Sequence, residues 1–123
     1  MLTDIRDFLI EFKESIKDRG LHIIPRAKNN QTIRELGLTM SNIREIIFGL
    51  GVKDYSKGPE LDRDKPGEVW VFGKQVDGKE IYIKLKLAII EGVRTSKCIS
   101  FHIADRPLRY KHSSYRELEF TND

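Results

Sequence analysis

Two segments in the second half of the sequence alternate apolar residues with residues that can bind phosphate or transfer protons. From Ile81 to Leu87 the odd positions are aliphatic, and the even positions are one tyrosine and two lysines. From Lys97 to Ile103 a serine and a histidine alternate with apolar residues. This alternation predicts strands with one buried and one exposed face, because successive side chains point to opposite sides. The exposed polar residues are Tyr82, Lys84, Lys86, Ser100 and His102.

These residue types suit the cleavage of an RNA phosphodiester. The ribose 2′-OH must lose a proton, the leaving 5′-oxygen must gain one, and the phosphorane between them carries extra negative charge. His102 could transfer a proton, alone or together with Tyr82, because an unperturbed imidazole titrates at ~6.5. Lysine side chains could hold the phosphate and stabilise its developing charge. The candidate phosphate- and RNA-binding residues are Lys57, Lys84, Lys86, Ser100 and Arg106.

The same pattern also fits a face that only keeps the protein soluble, because lysines are common on exposed sheet faces. Taken alone, Tyr82 could be a packing residue and His102 an ordinary surface histidine. Cys98 could be a small residue without a chemical role. A histidine opposite a tyrosine on the neighbouring strand favours a functional face. The three histidines, at positions 22, 102 and 112, have no metal-ligand spacing. Neither a metal nor another cofactor is therefore predicted.

The register of the first hairpin follows from Asp77-Gly78, a dipeptide that favours a two-residue turn. Val76 then pairs with Lys79. Further from the turn, the register pairs Phe72 with Ile83 and Trp70 with Leu85 on one face, and Gly73 with Tyr82 and Val71 with Lys84 on the other. The apolar pairs share one face, and this agreement supports the register.

For the second hairpin we predict a three-residue turn, Glu91 to Val93, which pairs Ile90 with Arg94. A two-residue turn would set apolar faces against polar ones. On the exposed face this register places Tyr82 opposite His102, Lys84 opposite Ser100 and Lys86 opposite Cys98. The predicted core face consists of Trp70, Phe72, Ile83, Leu85, Ile99 and Phe101.

Helices are predicted before the strands. An apolar stripe at helical spacing predicts the first helix, which Gly20 can end. A polar stretch, Arg26 to Gln31, precedes a short helix from Thr32 to Leu36, and Thr39 can cap a further helix. The many charges and the Gly and Pro residues of Val52 to Gly67 predict a long loop. The stripe of the first helix is Ile5, Phe8, Leu9, Phe12 and Ile16.

These elements predict an α+β fold, with N-terminal helices packed on a curved antiparallel β-sheet. Residues 1–123 form a single domain, in which 108–123 is expected to be a loosely ordered tail. The net charge of +3 permits a nucleic-acid partner but does not require one. No apolar run approaches the ~20 residues that cross a bilayer, and the N-terminus has no signal-like core. With Cys98 as its only cysteine, the chain is expected to be cytoplasmic, without a membrane partner.

Six short motifs resemble, in order, those of the MqsR family of toxins. The resemblance covers roughly Arg26 to Ile103. It implies a RelE-like fold, a metal-independent endoribonuclease (mRNA interferase) activity, and a cognate antitoxin as partner of a toxin that is monomeric when free. It also implies that Lys57 is an active-site lysine of the loop, with Tyr82 and Lys84 as active-site residues of a strand. The motifs are RELGL (34–38), IIFGL (46–50), KDYSKGPE (53–60), EVWVFG (68–73), IYIKLKL (81–87) and ISFH (99–102).

The chain departs from the best-known form of that family at three places. Val71 stands where that form has a glutamine, so no polar role is carried over to this position. His102 stands where it has a lysine, which would make a histidine the acid or change the catalysis. The loop from Leu61 to Pro66 is longer, so a sequence preference for cleavage is not implied.

Two other functions remain open from the sequence. The basic face could belong to a non-catalytic regulatory module that binds RNA or is associated with DNA, and the missing glutamine favours this alternative. The domain could also serve mainly as one half of a protein complex. Cleavage of mRNA in the presence of EDTA separates the enzyme from both, because a binder only shifts RNA on a gel.

Overall fold

The computed structural model describes residues 2–115 and confirms the α+β class. Within this range three α-helices and a short 3-10 turn (Val52–Asp54) accompany a mixed sheet of five strands in the order β1-β5-β4-β3-β2. β1 is parallel to β5, and the other neighbours are antiparallel. The elements are α1 (Leu2–Arg19), β1 (Leu21–Ile23), α2 (Ala27–Glu35), α3 (Met40–Phe48), β2 (Tyr55–Leu61), β3 (Glu68–Val76), β4 (Lys79–Ile90) and β5 (Val93–Ile103).

The predicted first helix is confirmed as α1, and its apolar stripe is buried against one face of the sheet. The ring of Phe8 stacks on Trp70 with centroids 4.8 Å apart. Gly20 ends the helix at a φ of +85°, a conformation that favours glycine. The predicted cap of α3 is also present, since the Thr39 hydroxyl accepts a hydrogen bond from the Asn42 backbone N–H at 3.0 Å. The helices therefore cover one face of the sheet and leave the other accessible.

The predicted start of the second helix at Thr32 is wrong. α2 begins at Ala27, so most of the polar stretch from Arg26 to Gln31 is helical. Asn29 is fully buried, and its amide donates to the Ile99 carbonyl at 3.0 Å and accepts from the Phe101 N–H at 2.9 Å. These bonds satisfy backbone groups on the edge of β5 beyond the end of β1. α2 is thus held to the edge of the sheet by the polar side chain of Asn29. A search for apolar residues at helical spacing cannot detect such a contact.

β1 was not predicted as a strand, and the sheet is consequently mixed rather than wholly antiparallel. Leu21 aligns with Ser96 and Ile23 with Cys98, in parallel orientation. The ladder continues past the strand, where the Ile24 N–H donates to the Cys98 carbonyl at 3.0 Å. Three residues are too few to show a strand periodicity in the sequence.

The predicted loop from Val52 to Gly67 is also wrong over its first half, where β2 forms an edge strand beside β3. Its register against β3 shifts twice, around Lys57 and Glu60. A Cβ on Gly58 would lie 2.9 Å from the Val69 carbonyl oxygen, so glycine is needed for this close approach. Gly and Pro indicate a loop in sequence, but an irregular edge strand tolerates both.

Both predicted hairpins form, but only one of the two predicted turns is correct. The Asp77-Gly78 turn and its whole register are confirmed. The three-residue turn of the second hairpin is wrong, because Ile90 pairs with Val93 across a two-residue turn. A bulge between Lys84 and Leu85 supplies the extra residue instead. The pairs of Tyr82 with His102 and of Lys84 with Ser100 are therefore confirmed, whereas Lys86 pairs with Lys97 and not with Cys98.

All six residues of the predicted core face are buried. Ile99 differs from the other five, because it lines a cleft on the face opposite the helices and does not join the main core cluster. Cys98 takes the core position, with no exposed surface. The bulge explains the exchange, since an extra residue reverses the faces of its neighbours. We call the face opposite the helices the open face.

The segment that follows β5 crosses the open face at Gly73. The Leu108 N–H and the Tyr110 hydroxyl donate to the Glu80 carboxylate at 3.2 Å and 2.6 Å. A Cβ on Gly73 would lie 2.6 Å from Leu108 Cδ1, so a larger residue there would force the side chains of this segment to shift. The predicted loosely ordered tail, 108–123, thus has these contacts in its first part, and 116–123 lie outside the described residues.

Candidate functional site

A groove runs along the open face between the loop after β2 and the segment after β5. One half is a cleft of about 400 Å³ and the other a cleft of about 520 Å³. Arg26, Tyr82 and Lys84 line both halves, so the two clefts are continuous. The first half also contains Lys57, Glu60, Asp62, Asp64, Val69 and Ile99, and the second Lys28, Ser100, His102, Asp105, Arg106 and Leu108.

Tyr82 and His102 form the centre of the groove. Their rings stack with centroids 5.3 Å apart and planes inclined by 17°, as expected for cross-strand partners. His102 Nδ1 lies 3.0 Å from the Ile103 carbonyl oxygen, which can only accept a hydrogen bond. Nδ1 is therefore the nitrogen that donates, and proton exchange with a ligand falls to Nε2.

The environment of Tyr82 keeps its phenol protonated at neutral pH. Burial raises the pKa of Tyr82, and the charge of Glu60 raises it further. The hydroxyl is consequently a hydrogen-bond donor towards a phosphate or a leaving oxygen. In this state Tyr82 could orient a ligand, and it is a poor proton acceptor.

Lys57 and Lys84 lie on either side of Val71. Val71 aligns with Lys57 of β2 and with Lys84 of β4, and its side chain is fully buried. Because neighbouring strands are ~4.8 Å apart, the two lysine backbones are separated by about 10 Å. Two cations on either side of one position can hold a phosphate between them. That position carries a glutamine in the best-known form of the resembling family, whereas the buried Val71 offers no accessible group between the two lysines.

Lys86 does not lie exposed on the open face as predicted. It is only 4% exposed, and its Nζ lies 2.6 Å from Asp62 Oδ2. A Cβ on Gly67 would lie 2.9 Å from Lys86 Cε, so the loop of residues 62–67 closes directly over this side chain. The structure therefore gives Lys86 a positioning role, in which it anchors that loop at the end of the groove.

We expect the Lys86–Asp62 pair to contribute to stability at neutral pH. The hydrogen bond from Lys86 holds the pKa of Asp62 at about 2, below its value in the unfolded chain. A lowered pKa stabilises the fold above the unfolded value of ~3.9, and this contribution is lost as the pH falls through about 2. Asp62→Asn should lower the free energy of unfolding by about 1–3 kcal/mol at pH 7, as measured by urea denaturation.

The matched control is Asp64→Asn, because the Asp64 side chain is exposed in the same loop. This variant should unfold like the wild type. The difference caused by Asp62→Asn should shrink as the pH approaches 2. Equal stability of Asp62→Asn and the wild type at pH 7 would show that the pair contributes nothing.

The structure brings together most of the predicted site residues in one groove. Lys57 shares the first half with Tyr82 and Lys84, and Ser100, His102 and Arg106 share the second half with the same two residues. Ser100 is 4% exposed, so it can offer little contact to a ligand. Sequence reasoning missed Arg26 and Glu60. Arg26 lies in the segment that was predicted as a polar stretch, and Glu60 lies in the segment that was predicted as a loop.

Fold and groove define a small α+β protein whose open sheet face carries lysine, arginine, tyrosine and histidine side chains. A family model described as "Motility quorum-sensing regulator, toxin of MqsA" matches residues 8–103, most of the chain. The chain therefore belongs to this family, and it is the toxin component of a toxin–antitoxin system. Family membership implies an antitoxin as its partner. Neither a curated protein nor a solved structure matches the chain. Among residues 2–115, no helix has the length and apolar character to span a membrane.

Proposed function

We propose that this toxin is a metal-independent endoribonuclease that cleaves mRNA in the groove of the open face. The observation that carries the proposal is the stack of Tyr82 on His102, placed between the cations of the two groove halves. The stack places the hydroxyl of Tyr82, a hydrogen-bond donor, beside an imidazole, a group that can act as a general acid. The cations hold the substrate backbone, as expected for a protein that binds nucleic acid.

The mechanism assigns a separate task to each group. Lys57 and Lys84 bind the scissile phosphate and stabilise the charge that develops on the phosphorane. The 2′-oxygen attacks the phosphorus, and His102 Nε2 gives a proton to the departing 5′-oxygen. The Tyr82 hydroxyl donates a hydrogen bond to the reacting phosphate and fixes the imidazole plane by stacking. The exposed guanidinium groups of Arg26 and Arg106 contact neighbouring phosphates of the RNA.

The remaining assignments also belong to this proposal. The chain acts in the cytoplasm, where its mRNA substrate is found, and it is monomeric when free of antitoxin. The antitoxin binds the toxin and suppresses cleavage. Membership of the toxin family supports the antitoxin as a partner, and the basic side chains of the second groove half support RNA as the substrate.

We expect the purified protein to cleave a labelled mRNA in the presence of EDTA, because its own side chains supply the acid and the cations. Product is followed on a denaturing gel, and the retardation of uncleaved RNA is measured in parallel on a native gel. The control is the same protein mixed beforehand with its antitoxin, which should suppress cleavage.

A second candidate function is a non-catalytic binding module that uses the same groove. It is favoured by Val71, since a fully buried valine offers no hydrogen bond to a reacting phosphate. Retardation of the RNA without any product, over a wide range of protein concentrations, would establish the binding module and exclude the enzyme.

A further inference from the structure

Glu60 lies on the open face because β2 is irregular. In a regular strand, residues three positions apart face opposite sides of the sheet. Lys57 aligns with Val71 and Glu60 with Val69, two residues of the same face of β3, because the register shifts between them. Bulges of this kind re-aim a side chain, and they are frequent beside active sites. The irregularity thus places a carboxylate and an ammonium side by side in the groove.

The surroundings of Glu60 are those of an accessible carboxylate in contact with the phosphate-binding cations. One of its oxygens lies 3.9 Å from Lys57 Nζ, and the side chain is 48% exposed. It lines the same cleft as Tyr82 and Lys84. Its charge reaches the phenols of both neighbouring tyrosines, since it adds to the effect of burial in raising the pKa of Tyr55 and of Tyr82.

With His102 assigned as the acid, the proposed reaction needs a separate proton acceptor for the 2′-OH. Lysines and a protonated Tyr82 are donors at neutral pH. Asp62 is held by Lys86 at 2.6 Å, and Asp105 is held by Lys28 at 2.8 Å. Among the groove carboxylates of the described chain, Glu60 and Asp64 remain, and only Glu60 is anchored on a strand.

We propose that Glu60 is the general base that removes the proton from the ribose 2′-OH, in partnership with His102 as the acid. The proposal rests on the endoribonuclease function argued above. The bond between the 2′-oxygen and phosphorus forms, and the bond between phosphorus and the 5′-oxygen breaks. The proton of the 2′-OH passes to the Glu60 carboxylate, and a proton of the His102 imidazolium passes to the 5′-oxygen. Charge and atoms balance, and solvent returns both groups to their starting states.

If Glu60 takes no part in catalysis, removing its carboxylate should affect the cleavage rate in the opposite direction. A carboxylate beside Lys57 then only competes with the phosphate for that cation and repels the RNA. Its removal would strengthen RNA binding and leave the rate equal or higher. A general base gives the opposite sign, because loss of a proton-transfer group slows a reaction ~10²–10⁴-fold. The sign of the change in cleavage rate therefore distinguishes a general base from a carboxylate that only competes with the phosphate.

The test compares Glu60→Gln with the wild type in single-turnover cleavage at saturating protein. We expect the rate to fall ~10²–10⁴-fold while RNA binding stays equal or becomes tighter. Glu60→Asp, which retains a carboxylate on a shorter side chain, should keep part of the activity.

The matched control is Asp64→Asn, which removes an exposed carboxylate from the same cleft and should leave the rate unchanged. A Glu60→Gln variant that folds normally by circular dichroism and cleaves as fast as the wild type, or faster, overturns the assignment. If the wild type itself cleaves no RNA, the proposed function fails together with it. The two failures are thus told apart by the wild-type reaction alone.

Discussion

An RNA that lacks the 2′-hydroxyl at the cleaved nucleotide should give no product at that position. In the proposed mechanism the 2′-oxygen is the nucleophile, so its replacement by hydrogen removes the attacking atom. The scissile phosphate is unchanged, and the contacts from Lys57 and Lys84 should keep binding nearly equal. The measurement is single-turnover cleavage of an oligonucleotide with one 2′-deoxy substitution, resolved on a denaturing gel.

The control places the same substitution one nucleotide to the 3′ side of the cleaved position, where the parent rate should be retained. Products of the unsubstituted RNA should carry a 2′,3′-cyclic phosphate and a 5′-hydroxyl, because the 2′-oxygen stays bound to phosphorus. If the substituted RNA is cut as fast as its parent, water or another group is the nucleophile. In that case both the proposed mechanism and the role of Glu60 are wrong.

The central pair of the groove is predictable from the sequence because two kinds of information agree there. Asp77-Gly78 sets the first hairpin, and the alternation of β4 and β5 then allows only registers that match apolar faces. Tyr82 and His102 become neighbours in such a register, as the structure confirms. Local turn chemistry and a period of two are both short-range signals, so one sequence suffices to read them.

The error at Lys86 shows the limit of this reasoning. Matching the apolar faces requires one additional residue in β5, and the sequence does not say where along the hairpin it lies. Placing it in the turn or in a bulge at Ile99 gives the same pairs beyond the bulge, and different pairs between the bulge and the turn. Tyr82 lies beyond the bulge and Lys86 before it. The predicted partner is therefore correct for Tyr82 and wrong for Lys86.

Arg26 and Glu60 could not be found from the sequence because tertiary contacts place them. Arg26 precedes a helix that is held by the bonds of Asn29 to the edge of β5. Glu60 depends on the irregular pairing of β2, where Gly58 approaches the backbone of β3. Periodicity describes the burial of apolar faces, and these residues lie on polar or irregular segments.

Two of the three departures of the chain from the best-known form of the family lie in the sheet, on either side of β4. Val71 is buried in β3 between Lys57 and Lys84, and His102 lies two strands away against Tyr82. Relative to that form, Val71 lacks a hydrogen-bonding side chain, and His102 has an imidazole, a general acid–base group, in place of an ammonium. Catalysis in this chain should accordingly depend on its histidine, and this dependence is open to a direct test.

We expect His102→Ala to lower the cleavage rate ~10²–10⁴-fold, because the leaving 5′-oxygen loses its proton donor. RNA binding should change little, since the phosphate contacts come from other side chains. His102→Phe keeps an aromatic ring against Tyr82 but cannot transfer a proton, so it should be as slow as His102→Ala. His22→Ala is the matched control, because this histidine is exposed on β1, and it should cleave at the rate of the wild type.

The two substitutions at position 102 separate proton transfer from stacking. An active His102→Phe beside an inactive His102→Ala would mean that the ring only orients Tyr82 across the 5.3 Å stack. Full activity of both would make His102 a surface residue, and catalysis would then rest on Tyr82 and the lysines. Loss of activity in both, with unchanged RNA binding and unchanged stability to urea, is the result expected if the imidazole is the acid, because His102→Phe retains the aromatic ring and a loss of stacking cannot explain it.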